Sequence, residues 1–329
     1  MAEWLYEDGI GESRAALVED GRIVEALIEW NDVAWPAGTV TEARIGEIDR
    51  AHGRGFVLLP DASAAILSPV PPGLPPQGSR VHVEIVREPI AEGRREKWPK
   101  ARLTDAAVAP ALPLYDRLAP PVRHLAGTDA DALEAAGWSE LIEEAASGWV
   151  AFPGGALLIS LTPAMTLLDV DGTLPPAELA MAGAAAAAAA IRRLGLSGSI
   201  GIDLPSVEGK AARAAAAEAF DALMPQPFER TAVNGFGFLQ IIRPRVRRSL
   251  PEMIASDPAG AALRLLLRRA ERCGGHGAIR LIAAPSLTAR LEAHPEWTAL
   301  LAQRTGRRIH LQPDTAMATW GGHVEAEHP

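Results

Sequence analysis

The stretch from Ala164 to Asp203 constrains the fold more than any other part of this chain. It reads AMTLLDV, then PPAELAMAGAAAAAAAIRRLG, then SIGID, a strand, a long helix and a second strand. The helix opens on prolines, tolerated in a first turn whose amides have no carbonyl partner, and stops at a glycine. Its alanine run is low in complexity, but alanine is the strongest helix former, so a packed helix with a small face is expected. Strands that alternate with helices predict a mixed α/β sheet covered by helices. Neighbouring parallel strands then end at one edge of it, where ligands gather. Both strands close on aspartate: Asp169, with Asp171 two residues on, and Asp203. Carboxylates so placed can share one hard cation, and a magnesium ion held there can generate or orient a nucleophilic water.

The rest of the chain divides by period. From about 14 to 103, RAALVEDGRIVEALIEW carries an Asp-Gly hairpin signal, and GTVTEARIGEI and RVHVEIVRE alternate β-branched residues. A small β-barrel is expected, with SPVPPGLPPQGS as a loop on its rim because proline cannot serve a central strand. From about Ala130 the pattern turns to helix (ADALEAAGWSELIEEAASG), strand (ALLISL), the unit described above, helix (GKAARAAAAEAFDAL) and strand (FGFLQII). Past Pro251, AALRLLLRRAERCGG, AIRLIAAP, LTARLEAHPEWTALLAQRTG and RIHLQPD alternate helix and strand without an internal repeat. The expected organisation is a multi-domain α/β protein: a barrel with flanking strands over 1–104, a connecting region over 105–150, a mixed α/β domain over 151–250 and a small α/β segment over 251–329.

Composition narrows the function classes. At 329 residues and 48% apolar the chain can bury a sizeable core. No apolar run reaches spanning length and the start is acidic, so no membrane role and a cytoplasmic location are expected. The single cysteine, Cys273, excludes an intrachain disulfide and cannot form a thiolate zinc site unaided. A net charge of −9 argues against a general nucleic-acid glue, yet basic residues cluster from Arg94 to Arg102 and from Arg243 to Arg248. Either cluster alone reads equally well as a solvated face; together they permit a polyanion track.

The order of the segments resembles the ribonuclease E/G family of endoribonucleases. The resemblance is carried by RAALVEDGRIVEALIE, GTVTEARIGEI with GFVLLPD, VHVEIVREPI leading into ARLTD, PGGALLISLTPAMTLLDVDG, SGSIGIDLPS and NGFGFLQIIRPRVRRSL, and continues in PSLTARLEAHPEWTALLAQRTGRRIHLQPD. It implies an RNA-binding S1/OB-like barrel, a catalytic domain resembling deoxyribonuclease I, and Mg2+-dependent hydrolysis of single-stranded RNA. Asp169 and Asp203 fall on the family's metal-binding aspartates, and Asp171 stands where the family usually has an asparagine. Phe56 matches an aromatic on the RNA-facing barrel surface, Lys100 a basic residue of that surface, and Arg243 and Arg245 join them as phosphate contacts. Residues 105–150 replace a longer family stretch that holds a ribonuclease H-like subdomain and a 5′-monophosphate pocket. Cys273 stands without the second cysteine of the family's zinc link, which leaves room for a homo-oligomer held without zinc.

Other readings compete. DVDGTL also fits the haloacid dehalogenase phosphatase signature, in which Asp169 attacks phosphorus and Asp171 protonates the leaving oxygen. That chemistry needs a later lysine and acidic pair, whereas Lys210 sits in a helix-forming run and Asp221, Asp257 and Asp314 are isolated. A non-catalytic RNA-binding protein on the same scaffold is the other alternative. Strand-end aspartates also simply cap helices, Phe56 is equally at home in a barrel core, Arg243 and Arg245 form surface ion pairs, and Trp98 packs. His52, His82, His276 and His294 show no ligand spacing.

Overall fold

The computed structural model describes residues 2–92 and 95–328, so Arg94 of the first basic cluster lies outside the described residues. The chain opens with β1 (Glu3–Asp8), β2 (Glu12–Glu19) and β3 (Arg22–Trp30), continues through β4 (Val40–Asp49), β5 (Arg54–Leu58), β6 (Ala64–Leu67) and β7 (Arg80–Arg87), and adds the hairpin β8 (Ile90–Glu92) and β9 (Arg95–Lys97) before β10 (Lys100–Leu103). Next come β11 (Val122–Leu125), α1 (Ala132–Ala135), α2 (Trp138–Ser147), β12 (Trp149–Phe152), β13 (Gly155–Leu161), β14 (Thr166–Gly172), α3 (Pro176–Arg193), β15 (Gly198–Asp203), α4 (Lys210–Leu223), β16 (Glu229–Arg230) and β17 (Phe238–Arg243). The last stretch holds α5 (Leu250–Ser256), α6 (Pro258–Glu271), β18 (His276–Ala283), α7 (Pro285–Glu292), α8 (Pro295–Thr305), β19 (Ile309–Pro313) and β20 (Gly322–His328). Among the described residues no helix is long and apolar enough to cross a membrane.

Two compact units result, one made of the chain up to Asp32, Leu118–Ser147 and the chain from Leu250, the other of Val33–Arg117 and Gly148–Ser249. In the first, β11-β1-β2-β3 form one sheet and β19-β18-β20 another. The Asp-Gly signal becomes the β2–β3 turn, where Asp20 and Gly21 have φ of 49° and 75°, the two positive angles that a tight hairpin needs. The expected segment 1–104 is thereby divided. Its first strand pairs with β11, and Ile10 shares a core with Leu263, Leu267, Leu281 and Leu291 of the C-terminal helices and sheet. The connecting region divides as well: residues up to Arg117 belong with the barrel, and β11, α1 and α2 belong with this unit.

A buried ion network holds the N-terminal strands to α6. Arg14, fully buried, donates through Nε and Nη2 to Glu12 Oε1 (3.0 and 2.6 Å) and through Nη1 to Glu7. Arg268 Nε donates to Glu7 Oε1 (3.2 Å) and its Nη2 to Asp131 Oδ1 (2.5 Å), while Arg272 also donates to Glu7. Burial pushes the Glu7 carboxyl up, but Arg14, Arg268 and Arg272 outweigh it and hold the group below the ordinary glutamate range.

In the second unit, β10-β6-β5-β4-β7 close a five-stranded barrel, so the closed barrel begins at β4 and not at the N-terminal strands. Strand alternation turns Ala43, Ile45, Val57, Ala65, Leu67, Val83, Ile85 and Ala101 inward. The proline-rich segment joins β6 to β7 as a loop, with Leu74 packed into the barrel core. The unit's other half is a six-stranded mixed sheet in the order β12-β13-β14-β15-β17-β16. Helix α3 packs on one face of it, over β12 to β14, with α4 alongside. Leu157, Leu168, Ile200, Ile202, Leu239 and Ile241 line that face and are buried, as are Ala180, Ala184, Ala187 and Ile191 of α3. The small alanine face lets α3 lie close; a Cβ at Gly183 would strike Val170.

Candidate active site

The carboxylates stand on the opposite face of this sheet. Strand register places Trp149, Leu158, Asp169, Asp203 and Phe238 side by side across β12, β13, β14, β15 and β17. Directly paired residues share a face, so these five side chains project together. Trp149 is 54% and Leu158 43% exposed, and both aspartates are exposed. Asp169 is not the end of its strand: β14 continues against β13 to the Gly155–Gly172 pair, whereas its pairing with β15 stops at Asp169–Asp203. Asp171, two residues on and on the same face, therefore projects beyond the point where the chain leaves β15. The site is a notch at the end of β15, bounded by a longer strand.

None of the three aspartates caps a helix. The N-cap of α3 is Pro175 and that of α4 is Gly209, and neither makes a side-chain capping bond. Burial, then the negative charges of Asp171 and Asp203, push the Asp169 carboxyl above the ordinary aspartate range, against one backbone hydrogen bond from Val170 that lowers it. No cation contributes to this balance. Like charges gathered on an exposed strand without a counter-ion oppose folding, and sites that do so are characteristically functional. A raised carboxyl favours the folded state fully below the ordinary aspartate pKa near 4 and loses that contribution as pH rises through the folded value. In chelator at neutral pH, Asp169→Asn is thus expected to unfold at a slightly higher temperature than wild type, by less than about 1 kcal/mol for so exposed a group. The two proteins should converge below about pH 4 in thermal melts.

Among the described residues no group of three His, Cys, Asp or Glu side chains is gathered closely enough to hold a metal ion. A magnesium ion does not require one: it keeps several waters and is held by one or two carboxylates together with substrate phosphate oxygens. Two paired carboxylates, a third two residues away and no competing cation suit that demand.

Sequence expectations for Phe56 and Lys100 divide from those for the arginines. Phe56 is not barrel core: Val57 points inward, and the Phe56 ring lies on the outer wall above Gly46, where a Cβ would meet it at 2.6 Å or less. Pairing across β5, β6 and β10 sets Phe56, Ile66 and Lys100 in one outward row, while Arg87 of β7 meets Lys100 across a register shift. Trp98, which the sequence reading assigns to packing, is 51% exposed and meets Phe56 edge to face with centroids 6.1 Å apart. Arg87 Nη2 donates to Trp98 O at 2.5 Å, tying the Trp98 backbone to the end of β7.

Arg243 and Arg245 lie elsewhere. Because β17 is antiparallel to β15, Phe238 pairs with Asp203 and Arg243 with Gly198, five residues or about 17 Å back along the strand. Arg243 Nη1 donates to Leu196 O at 2.7 Å, just past the C-terminal end of α3, and the Arg245 chain packs on Gly198. Neither reaches the carboxylate row. The segment beyond them does meet the barrel, with Glu88 N donating to Val246 O at 2.9 Å. The strand that carries DVDGTL, β14, is antiparallel to β13 and parallel to β15. No protein-family model matches the chain, and no curated protein matches it in sequence.

Proposed function

We propose that this protein is a magnesium-dependent endoribonuclease acting on single-stranded RNA, built as an S1/OB-like barrel joined to a domain resembling deoxyribonuclease I. The observation that carries the reading is the Asp169–Asp203 pair, exposed and without a cation, in the same compact unit as an outward aromatic and basic barrel row. Asp169 and Asp203, supported by Asp171, would hold the ion; when bound it lowers the pKa of water and offsets charge developing on the phosphate. The chain's own groups do the rest. Phe56 and Trp98 offer ring faces and edges to unpaired bases, which stack without regard to sequence, and Lys100 attracts the backbone. Hydrolysis adds water across the bond between phosphorus and the 3′ oxygen, leaving a 5′-phosphate and a 3′-hydroxyl that takes up the proton.

The test is incubation of labelled single-stranded RNA with wild type and the Asp169→Asn variant, with and without magnesium; RNA left intact by wild type in magnesium would overturn the nuclease reading. Binding with no magnesium-dependent product would favour the non-catalytic RNA-binding alternative. Release of phosphate from small monoesters through Asp171 would favour the phosphatase. A readout independent of activity is the melting temperature, expected to rise with added magnesium in wild type and not in an Asp169→Asn, Asp203→Asn double variant. Replacing Phe56 and Lys100 together by alanine is expected to weaken RNA binding in chelator by at least about tenfold, since stacking alone contributes about 1–3 kcal/mol per base. Fluorescence anisotropy at fixed salt checks it.

A further inference from the structure

Beside the carboxylates lies a residue with no structural use for its side chain. Phe236 is 85% exposed, the most exposed large apolar side chain among the described residues. Leaving a phenylalanine ring in water forgoes about 1.5–3 kcal/mol of burial, so its retention at a surface turn calls for a reason. Its backbone, in contrast, is held at every point. Asn234 Oδ1 accepts from the amides of Phe236 (2.9 Å) and Phe238 (3.0 Å), Asn234 N donates to Phe238 O (3.0 Å), and Gly237 N donates to Asn234 O (3.2 Å).

The same turn is fastened to the residues that follow Asp203. Leu204 N donates to Gly237 O (3.2 Å) and Ser206 Oγ to Phe236 O (3.1 Å). Gly237 has φ +90°, and a Cβ there would collide with Leu204 O, so only glycine allows this approach. The next aromatic behaves differently: Phe238 pairs with Asp203 and lays its ring over Gly201, where a Cβ would strike it. The turn thus presents one ring to solvent, on a rigid mount, at the end of β15 where the carboxylates stand. A ring fixed before binding loses little entropy when a ligand covers it.

We propose that Phe236 is a substrate-positioning residue that stacks on the unpaired nucleobase adjoining the scissile phosphate. The inference rests on the endoribonuclease reading and deepens it: the carboxylates address the phosphate, and the ring selects RNA whose neighbouring base is free. A base inside a duplex presents no open face to it, so the site discriminates against paired RNA at the cut itself as well as on the barrel.

The experiment uses the full chain and a short labelled single-stranded oligoribonucleotide, with affinity measured in chelator and cleavage in magnesium. Phe236→Ala and Phe236→Leu are expected to lose about five- to a hundredfold in affinity and to raise KM correspondingly, while Phe236→Trp keeps both near wild type. The leucine variant separates stacking from simple apolar contact. Melting temperatures should be unchanged, because the ring packs against nothing that holds the fold. Alanine and leucine variants that bind and cut like wild type would overturn the role of Phe236 and leave the nuclease reading standing. Weakened binding in those variants, with no cleavage by wild type, would support stacking and overturn the nuclease. Wild type that does not bind RNA would overturn both.

Discussion

Asparagine at Asp169 or Asp203 is expected to lower magnesium-dependent RNA cleavage by about a thousandfold or more, with RNA affinity in chelator within a factor of about two. The geometry explains both halves. The two carboxylates pair directly across β14 and β15, so either substitution leaves a single anionic ligand and removes most of the attraction for a hard cation. Loss of charge stabilisation at a reacting phosphate is a transition-state effect of about 4 kcal/mol, read in kcat. RNA affinity is assigned to other residues, and removing a negative charge near a polyanion does not harm it. Asp171→Asn is the internal control. It projects past the end of β15, and asparagine keeps an oxygen ligand at that place, so cleavage within about tenfold of wild type is expected. Single-turnover cleavage of a labelled oligoribonucleotide measures all three; wild-type rates for both Asp169→Asn and Asp203→Asn would remove the carboxylate pair from the reaction.

The second large effect concerns stability. Arg14→Met is expected to cost about 3–5 kcal/mol, because it leaves Glu12 and Glu7 buried with charges that Arg14 had neutralised. The companion test is the triple change Arg14→Met, Glu12→Leu, Glu7→Leu. It removes the stranded carboxylates as well, though Arg268 and Arg272 then lose one of their partners, and it should recover part of the loss. Denaturant unfolding followed by circular dichroism measures both, and equal losses in the two variants would show that packing, not stranded charge, sets the cost. Acid sensitivity follows from the same network. The Glu7 carboxyl is depressed in the folded state, so its contribution is present above the ordinary glutamate pKa and is lost as pH falls through the lower folded value. Glu7→Gln should flatten the stability profile below about pH 4.5 and shift it little in shape above.

Local chemistry made part of the fold legible. The Asp20-Gly21 pair names a hairpin because both residues accept positive φ, and the prolines before Ala177 with the glycine at 195 bracket α3 because each suits only one end of a helix. Asp169 and Asp203 could be placed side by side for the same reason: the helix between them leaves their strands parallel neighbours. What stayed hidden depends on pairings between distant segments. Nothing in RAALVEDGRIVEALIEW says that it will complete the β11-β1-β2-β3 sheet instead of the barrel, since an alternating strand completes either sheet equally well.

Direction was the other hidden quantity. FGFLQIIRPRVRR reads as one strand with basic residues behind it, and only its antiparallel pairing with β15 decides that Phe238 meets Asp203 while Arg243 sits at the far end on the Leu196 carbonyl just past α3. Exposure was decided in the same way for Trp98, whose sequence reading is packing, and for Phe236, to which the sequence assigns nothing: the closed barrel and the Asn234 turn place them outside. The sequence by itself therefore determined the elements, the parallel unit and the carboxylate pair, because propensity, capping and short connections act within a few residues. The tertiary structure alone decided which sheet each N-terminal strand joined, which end of β17 faces the carboxylates and which rings stand in water, because those outcomes are set by burial shared between segments far apart in the chain.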